Sequence, residues 1–335
     1  MVDYSYHISA LNQRLAPKLK RLWIETTDLC NSHCKTCSIW KNKESKRSLN
    51  YNVLSNPLFK HVDYILNSGG EPSLCDLKSI LLLEHKLLPK AVLQVSTNGL
   101  LPEKVLDAVG AVLEAGAQVD VGISLDGIGE VHDQFRGVPG NFEKVNSLVN
   151  GLNKLKAEGC PCLNVTVGST LTYETAKLAD DLIHYANVNK LGFMWHWPNK
   201  SAFYRNEDST FNNSVDKPLF TQAIYKAFPE GTYRESWLNS LNGINPCFDC
   251  YALRSFAVIK CNGDIAPCLT HWNMNVGNIM EKDPEEVWEN LKVKKAKNGI
   301  HSCGLNGCLN SWGYMWSVRD AYFPALKAAI MRRLP

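Results

Sequence analysis

A regular alternation of two sequence periods between residues 19 and 198 constrains the fold more than any other feature. Six short apolar runs, each bounded by Gly, Pro, Asn or Asp, are typical of buried strands. The segments between them carry apolar residues at three- and four-residue spacing, as amphipathic helices do. Alternating strands and helices predict repeated βα units around a parallel sheet. The predicted strands are residues 21–27, 62–67, 91–96, 119–125, 163–171 and 191–197.

Two clear helices and a change of pattern after residue 197 complete the predicted organisation. Helices at 102–115 and 142–158 each end at a glycine, which is a common helix stop. Residues 199–246 predict a connector with one helix at 217–228 and a connecting stretch at 230–246. The elements predicted beyond it are short strands at 256–260 and 264–267 and a helix at 284–291.

The composition excludes several classes of protein. Of the 335 residues, 45% are hydrophobic and 21% are charged, which is the range of an ordinary globular chain. The net charge is only +3, so binding to nucleic acid through phosphate neutralisation is not expected. The sequence contains no run of about 18 apolar residues and no apolar signal-peptide core near its start. We therefore expect a cytoplasmic protein that binds no membrane and takes a small or mixed-charge substrate.

Twelve cysteines are unusual in a cytoplasmic chain, where reducing conditions disfavour disulfides. Cys30, Cys34 and Cys37 follow the first predicted strand at C-x3-C-x2-C spacing, in the loop where open βα folds place ligands. Three thiolates leave a tetrahedral zinc one ligand short, so a structural zinc would need a fourth partner such as His33. An iron–sulfur cluster, in contrast, can present one iron to a substrate. The spacing alone leaves both alternatives open.

Polar residues also follow the next predicted strands, at the edge of the sheet where ligand sites form. The second strand is followed by two glycines, which admit a close approach, and by a carboxylate, which accepts hydrogen bonds from an ammonium group. This segment consists of Gly69, Gly70, Glu71 and Pro72, and alone it also fits an ordinary turn. The ends of the third and fourth strands supply Ser96, Asn98, Ser124 and Asp126. The sixth strand closes with candidates for a pocket wall or for the core, namely Met194, Trp195, His196 and Trp197.

A second group of six cysteines lies at positions 247, 250, 261, 268, 303 and 308. An even spread of the twelve cysteines would place about two in that stretch, so the density predicts a second inorganic site. A zinc ribbon fits poorly, because only Cys247 and Cys250 have the C-x2-C gap.

The first cysteine group and the Gly-Gly-Glu-Pro segment resemble the radical S-adenosylmethionine (SAM) superfamily over about residues 19–198. The resemblance implies an α/β fold, a partial (β/α)6 TIM-like barrel. It also implies a four-iron four-sulfur (4Fe-4S) cluster on Cys30, Cys34 and Cys37, whose fourth iron chelates the amine and carboxylate of SAM. Such proteins cleave SAM reductively to a 5′-deoxyadenosyl radical, which takes hydrogen from a substrate.

The resemblance also implies which residues contact SAM. The Gly-Gly-Glu-Pro segment is expected at the methionine amine, and Arg136 at the carboxylate through its guanidinium fork. Thr36 stands where the superfamily usually has an aromatic residue near the adenine, so Trp40 is expected to supply that surface. The SAM-binding residues expected in this way are Gly69, Gly70, Glu71, Pro72, Ser96, Asn98, Ser124, Asp126, Arg136 and Trp40.

The segment from Cys250 to Cys268, with residues 276–279 and 285–288, resembles the SPASM extension of this superfamily or its shorter twitch form. Such extensions bind auxiliary 4Fe-4S clusters. The number of cysteines favours one such cluster, expected on Cys250, Cys268, Cys303 and Cys308, with Cys247 as first substitute and Cys261 as last. The domains expected are an N-terminal extension (1–18), the barrel (19–198), a connector with a helix (199–246) and the auxiliary cluster region with a C-terminal helix (247–335).

These expectations describe an oxidoreductase-type radical SAM enzyme that receives electrons from an external donor such as flavodoxin or ferredoxin. About twenty residues precede the first strand, too few for a leader-binding domain. This favours a small polar metabolite (a sugar, aminocyclitol or nucleotide) that undergoes oxidation or rearrangement. A peptide-modifying enzyme, either a cross-linking enzyme or a maturase, is the alternative. A non-catalytic, zinc-stabilised binding protein is the rival of another class, and iron analysis separates it from the enzyme.

Overall fold

The computed structural model of the chain describes residues 18–45, 48–159, 162–208, 215–244 and 250–290. Six parallel strands lie side by side in the order of the sequence, and the sheet does not close into a full barrel. This is the partial (β/α)6 barrel that the family resemblance implies. The strands are β1 (Arg21–Thr27), β2 (Tyr64–Gly69), β3 (Val92–Thr97), β4 (Gln118–Ser124), β5 (Leu163–Thr170) and β6 (Gly192–His196).

The connections between these strands are mostly helical. The α-helices are α1 (Leu77–Leu87), α2 (Pro102–Glu114), α3 (Glu130–Arg136), α4 (Asn141–Ala157), α5 (Tyr173–Ala176), α6 (Ala179–Val188), α7 (Lys217–Ala227), α8 (Thr232–Leu241) and α9 (Pro284–Glu289). Short 3-10 helices occupy Ile39–Lys41, Tyr51–Ser55, Pro57–Phe59 and Pro72–Leu74. Among the described residues, every helix is too short or too polar to cross a bilayer.

Each predicted strand and helix has a described counterpart whose ends lie within two residues of the predicted ones. The stretch predicted as connecting, 230–246, contains α8, so that prediction was wrong. Helix α8 forms because Tyr233 and Trp237 lie one helical turn apart and bury one face. The Trp237 ring stacks on Trp197, with ring centroids 4.6 Å apart and an interplanar angle of 21°.

The strands of the barrel bury one face against helices and leave the other face around a cavity. On β4, the residues on the helix side are at most 1% exposed, and they are Val119, Val121 and Ile123. The residues that alternate with them line the interior of the barrel, and they are Asp120, Gly122 and Ser124. Small and polar side chains on this inner face leave the barrel hollow, so a ligand has room inside it.

The C-terminal region continues the same sheet. Strand β7 (Phe256–Ile259) pairs in parallel with β1, from Arg21 opposite Phe256 to Ile24 opposite Ile259. Two antiparallel strands follow at the edge, β8 (Asp264–Ala266) and β9 (Gly277–Asn278). The region that carries the later cysteines is thus joined by backbone hydrogen bonds to the strand that leads into the first cysteine group.

Candidate active site

A cavity of about 420 Å³ lies inside the barrel and reaches the carboxyl ends of the strands. Cys30, Cys34 and Cys37 line it from the loop after β1, and all three side chains are partly buried. Every strand from β1 to β6 contributes at least one lining residue or the loop that follows it. The cavity therefore occupies the place where parallel βα folds bind ligands.

The loop that carries the three cysteines is held by hydrogen bonds from two sides. On one side, the backbone N–H groups of His33 and Lys35 donate to carbonyl oxygens at the end of α3, at 2.8 and 3.1 Å. On the other side, Asn206 Nδ2 donates to the carbonyl oxygen of Thr36 at 2.7 Å. A Cβ at Gly137 would lie 2.6 Å from the carbonyl oxygen of His33, so this contact requires glycine.

The cysteine thiols sit in surroundings that favour a metal cluster. Burial raises the pKa of both Cys30 and Cys37 to about 12, so their thiolates require a positive centre nearby. Three thiols that line one cavity fit a 4Fe-4S cluster, in which each cysteine binds a different iron. His33, the fourth ligand that zinc would need, instead packs on Trp40.

The glycine pair after β2 is required by a close approach of two backbones. A Cβ at Gly70 would lie 1.8 Å from the carbonyl oxygen of Leu29, and one at Gly69 would lie 2.4 Å from that of Thr27. The same two carbonyl groups accept hydrogen bonds from the N–H groups of Gly70 and Glu71, at 2.7 and 2.8 Å. The segment therefore positions the start of the cysteine loop directly beside β2.

Glu71 holds the loops after β2 and β3 together. Its Oε1 accepts hydrogen bonds from the N–H and hydroxyl of Ser73 and from the hydroxyl of Thr97, and its Oε2 accepts from the N–H of Asn98 at 2.7 Å. Burial raises the pKa of Glu71, and these four hydrogen bonds offset part of that effect. The carboxylate is thus engaged within the protein, and Gly69, Gly70 and Glu71 all line the cavity.

Arg136 and Asp126 form a buried ion pair beside the cysteine loop. Arg136 Nη1 also donates a hydrogen bond to Cys34 Sγ at 3.5 Å. Asp126 Oδ1 accepts from the Ser169 hydroxyl at 3.1 Å and from the N–H of Thr170 at 2.7 Å. Burial alone would lower the pKa of Arg136, but the charges of Asp126 and Cys34 outweigh it and raise the pKa.

Most of the residues expected to bind SAM lie around the cavity. Asn98 Nδ2 points toward Cys30 Sγ at 3.9 Å and donates to Asn31 Oδ1 at 2.8 Å. The expected residues that line the cavity are Gly69, Gly70, Glu71, Ser96, Asn98, Ser124 and Arg136. Those outside its lining are Pro72, Asp126 and Trp40. The indole of Trp40 donates to the carbonyl oxygen of Cys37 at 2.9 Å, and its contact with adenine stays a prediction.

One side of the cavity is an aromatic wall, which we define as Trp23, Trp197, Phe203 and Tyr204. The Phe203 ring packs edge to face on two of the others, with ring centroids 5.1 Å from Trp23 and 4.7 Å from Tyr204, while Trp197 stacks on Trp237. The sequence gives no sign that Phe203 and Tyr204 line a cavity, because they lie outside the strand pattern in a polar segment. Among the residues that close β6, Met194, His196 and Trp197 line the cavity, whereas Trp195 is buried and donates to the carbonyl oxygen of Ala223.

Comparison with known proteins decides the family. The family model of the radical SAM superfamily matches residues 24–182, and that of SPASM, an iron–sulfur cluster-binding domain, matches residues 250–308. This chain belongs to the radical SAM superfamily. Its cofactors are SAM, a 4Fe-4S cluster and auxiliary iron–sulfur in the SPASM domain. It is an enzyme of SAM-dependent radical chemistry, which sets aside the zinc-stabilised binding protein.

Two relatives share sequence with most of this radical SAM enzyme. Pre-heme d1 synthase of Dinoroseobacter shibae is 26% identical over 345 residues, covering 86% of this chain and 79% of that protein. Fe-coproporphyrin III synthase of Methanosarcina barkeri is 30% identical over 264 residues, covering 68% of this chain. The matched part spans only 61% of the length of the second relative.

Two solved structures share the fold. The crystal structure of SuiB from Streptococcus suis bound to SAM has a TM-score of 0.63 at 17% identity, covering 89% of this chain and 71% of that one. Native anSMEcpe with bound AdoMet and the Cp18Cys peptide has a TM-score of 0.62 at 18% identity, covering 94% of this chain and 98% of that one. At these identities the likeness establishes the fold.

Three of the six later cysteines lie in the described part of the SPASM domain. Cys250 is partly buried, while Cys261 and Cys268 are buried. The N–H of Cys261 donates to Glu25 Oε2 at 3.0 Å, which ties this position to β1. The other expected ligands, Cys247, Cys303 and Cys308, lie outside the described residues.

Proposed function

We propose that this radical SAM enzyme modifies a tetrapyrrole. The observation that carries the proposal is the aromatic wall, whose four rings line the same cavity as the cluster cysteines. Aromatic rings bind flat ring systems by stacking and by edge contacts. Both named relatives support the same class, because pre-heme d1 and Fe-coproporphyrin III are tetrapyrroles. Neither relative is named for a sugar, a nucleotide or a peptide.

The size of the cavity limits which part of such a substrate reacts. A volume of about 420 Å³ lies toward the small end of ligand cavities. Because the same cavity also has to hold the cluster and SAM, it admits only the edge of a macrocycle, and the remainder of the ring would lie outside it. We therefore infer that a peripheral side chain of the tetrapyrrole is the group that loses hydrogen.

The chain's own residues bind and orient the cofactors. The thiolates of Cys30, Cys34 and Cys37 hold the cluster. Because the Glu71 carboxylate is engaged by its neighbours, the backbone carbonyl groups of Gly69 and Gly70 accept the methionine ammonium. Asn98 keeps the third strand end against the cysteine loop through its contacts with Asn31 and Cys30.

The remaining residues prepare the cavity for radical chemistry. When bound, the cluster supplies one electron to SAM, which gives methionine and a 5′-deoxyadenosyl radical that removes one hydrogen atom from the substrate. The aromatic wall excludes water from this reaction. Burial lowers the pKa of His196 to about 4, so its imidazole is neutral in the cavity at pH 7 and adds no charge beside the substrate.

We propose one auxiliary 4Fe-4S cluster on Cys250, Cys268, Cys303 and Cys308. The matched SPASM segment, residues 250–308, contains all four positions. Cys261 is a weaker candidate because both its N–H and its thiol interact with Glu25. A cluster held by these residues would supply a site for one electron from the substrate radical, and an external donor such as flavodoxin or ferredoxin would supply the electron for SAM cleavage.

Substrate-dependent SAM cleavage tests the substrate class. We expect Fe-coproporphyrin III, deuterated on its side chains, to raise 5′-deoxyadenosine formation and to transfer deuterium into it under anaerobic conditions. Sugar nucleotides and unrelated peptides should leave the uncoupled rate unchanged. Phe203→Leu should lose the porphyrin stimulation but keep uncoupled cleavage, whereas Phe142→Leu, outside the cavity lining, should keep both. Stimulation by a sugar or a peptide but not by any porphyrin would contradict the proposal.

A further inference from the structure

Arg136 connects the ion pair with Asp126 to the sulfur of a cluster cysteine. It is the last residue of α3, and its side chain is only 13% exposed. One guanidinium nitrogen, Nη2, pairs with Asp126 Oδ2, while the other, Nη1, donates to Cys34 Sγ at 3.5 Å. A charged donor fixed on a thiolate is stronger than a neutral one.

Asp126 has surroundings that fix its position as well as its charge. Its side chain is fully buried. Its N–H donates to His132 Nδ1 at 3.1 Å, and its Oδ1 accepts hydrogen bonds from Ser169 and Thr170 on β5. These contacts join α3, the end of β4 and the end of β5 into one support for the guanidinium group.

Arg136 is buried beside the cluster cysteines, whereas the neighbouring charge of Lys35 is exposed. Lys35 is the matched comparison, because it is one residue from Cys34 but 48% exposed and paired with Glu174. Water and salt screen an exposed pair of this kind. Reduction adds one electron to a cluster, so a buried cation hydrogen-bonded to one of its thiolates stabilises the reduced form.

We propose that Arg136, oriented by Asp126, is a positioning residue that raises the reduction potential of the SAM-binding cluster through Cys34 Sγ. This assigns Asp126 to the support of Arg136 and not to the SAM ribose. The inference rests on the cluster being held by Cys30, Cys34 and Cys37, and it is independent of the substrate class.

The test is the midpoint potential of the cluster in the absence of SAM and substrate. The holoenzyme is titrated anaerobically, and the reduced signal that SAM addition perturbs is followed by electron paramagnetic resonance. We expect Arg136→Gln to shift the midpoint to more negative potential, Arg136→Lys to shift it less, and Lys35→Gln to leave it unchanged. Iron content and circular dichroism confirm that the variants are folded and loaded.

A double-mutant cycle tests the part played by Asp126. If Asp126 acts through Arg136, then Asp126→Asn changes the midpoint in the wild-type background and much less in the Arg136→Gln background. Equal shifts in both backgrounds would overturn this part. Arg136→Gln that weakens SAM binding but leaves the SAM-free midpoint at the wild-type value would overturn the whole inference. A wild-type enzyme with no SAM-sensitive signal would overturn both the inference and the cluster assignment.

Discussion

At residue 70 only glycine fits, because the carbonyl oxygen of Leu29 occupies the space that a Cβ would need. The Gly-Gly-Glu-Pro segment is expected to contact SAM. The structure shows a second reason for its glycines, which is the close contact between two backbone segments of the chain itself. The backbone after β2 and the backbone leading to Cys30 are in direct contact, so the cysteine loop takes its position from Gly70. The same backbone at Gly70 can also contact a ligand in the cavity.

Gly70→Ala should therefore destabilise the protein and disturb the cluster site. We expect a loss of about 3 kcal/mol in the free energy of unfolding, measured by urea titration, because two backbones must move apart. Gly110→Ala in α2 is the control, since no atom lies within 4 Å of its Cβ. It should stabilise the protein by about 0.5–1 kcal/mol. Equal effects of the two substitutions would contradict this account.

His132 makes the site sensitive to acid. It is buried, its Nδ1 accepts the N–H of Asp126, and burial lowers its pKa from 6.5 to about 4. A histidine with a lowered folded pKa stabilises the protein above pH 6.5, and this stabilisation is lost as the pH falls toward 4.

We expect the free energy of unfolding to fall by about 2 kcal/mol from this histidine alone between pH 7 and pH 5. His132→Gln should remove that part of the pH dependence. His184→Gln, at an exposed position of α6, should keep the pH dependence of the wild type. An unchanged pH profile in His132→Gln would show that the acid sensitivity arises elsewhere.

At the scale of elements, α1 is attached to β2 by a buried carboxyl group. Glu84 is fully buried, and its Oε2 accepts a hydrogen bond from Asn67 Nδ2 at 2.8 Å. Burial raises its pKa from 4.5 to about 8. The folded state therefore retains a proton that the unfolded chain releases, and this stabilisation is complete below pH 4.5 and lost as the pH rises through 8.

Raising the pH from 6 to 9 should reduce the free energy of unfolding by about 2–3 kcal/mol through Glu84. The amide of Glu84→Gln has no proton to lose, so the free energy of unfolding of this variant should stay constant over the same pH range. Glu103→Gln, at an exposed position of α2, should behave as the wild type. A wild-type profile with no fall between pH 6 and 9 would contradict the raised pKa.

The sequence predicts elements well where a period is long and regular. The six barrel strands were predicted because their apolar runs are bounded by turn residues. Helix α8 was missed because only two aromatic residues form its short apolar face among polar residues. Cys30, Cys34 and Cys37 were placed in one loop by spacing alone. Phe203 and Tyr204 could not be placed, because only the tertiary fold brings their segment over the cysteine loop.

At the scale of the whole molecule, the barrel and the SPASM domain share one sheet. β7 pairs with β1, and Glu25 of β1 accepts the N–H of Cys261. The strand that leads into the first cysteine group is therefore also the strand on which the C-terminal region is built. This continuity fixes the described part of the SPASM domain, with Cys250, Cys261 and Cys268, relative to the first cysteine group.

Replacement of Cys30, Cys34 and Cys37 together by alanine tests the central claim most directly. Iron and 5′-deoxyadenosine are measured in the reconstituted, reduced enzyme with SAM. The account predicts about eight irons per chain and SAM cleavage in the wild type. It predicts about four irons and no 5′-deoxyadenosine in the triple variant, because the auxiliary cluster remains and the SAM-binding cluster is lost. Retained 5′-deoxyadenosine formation, or loss of all iron, would contradict it.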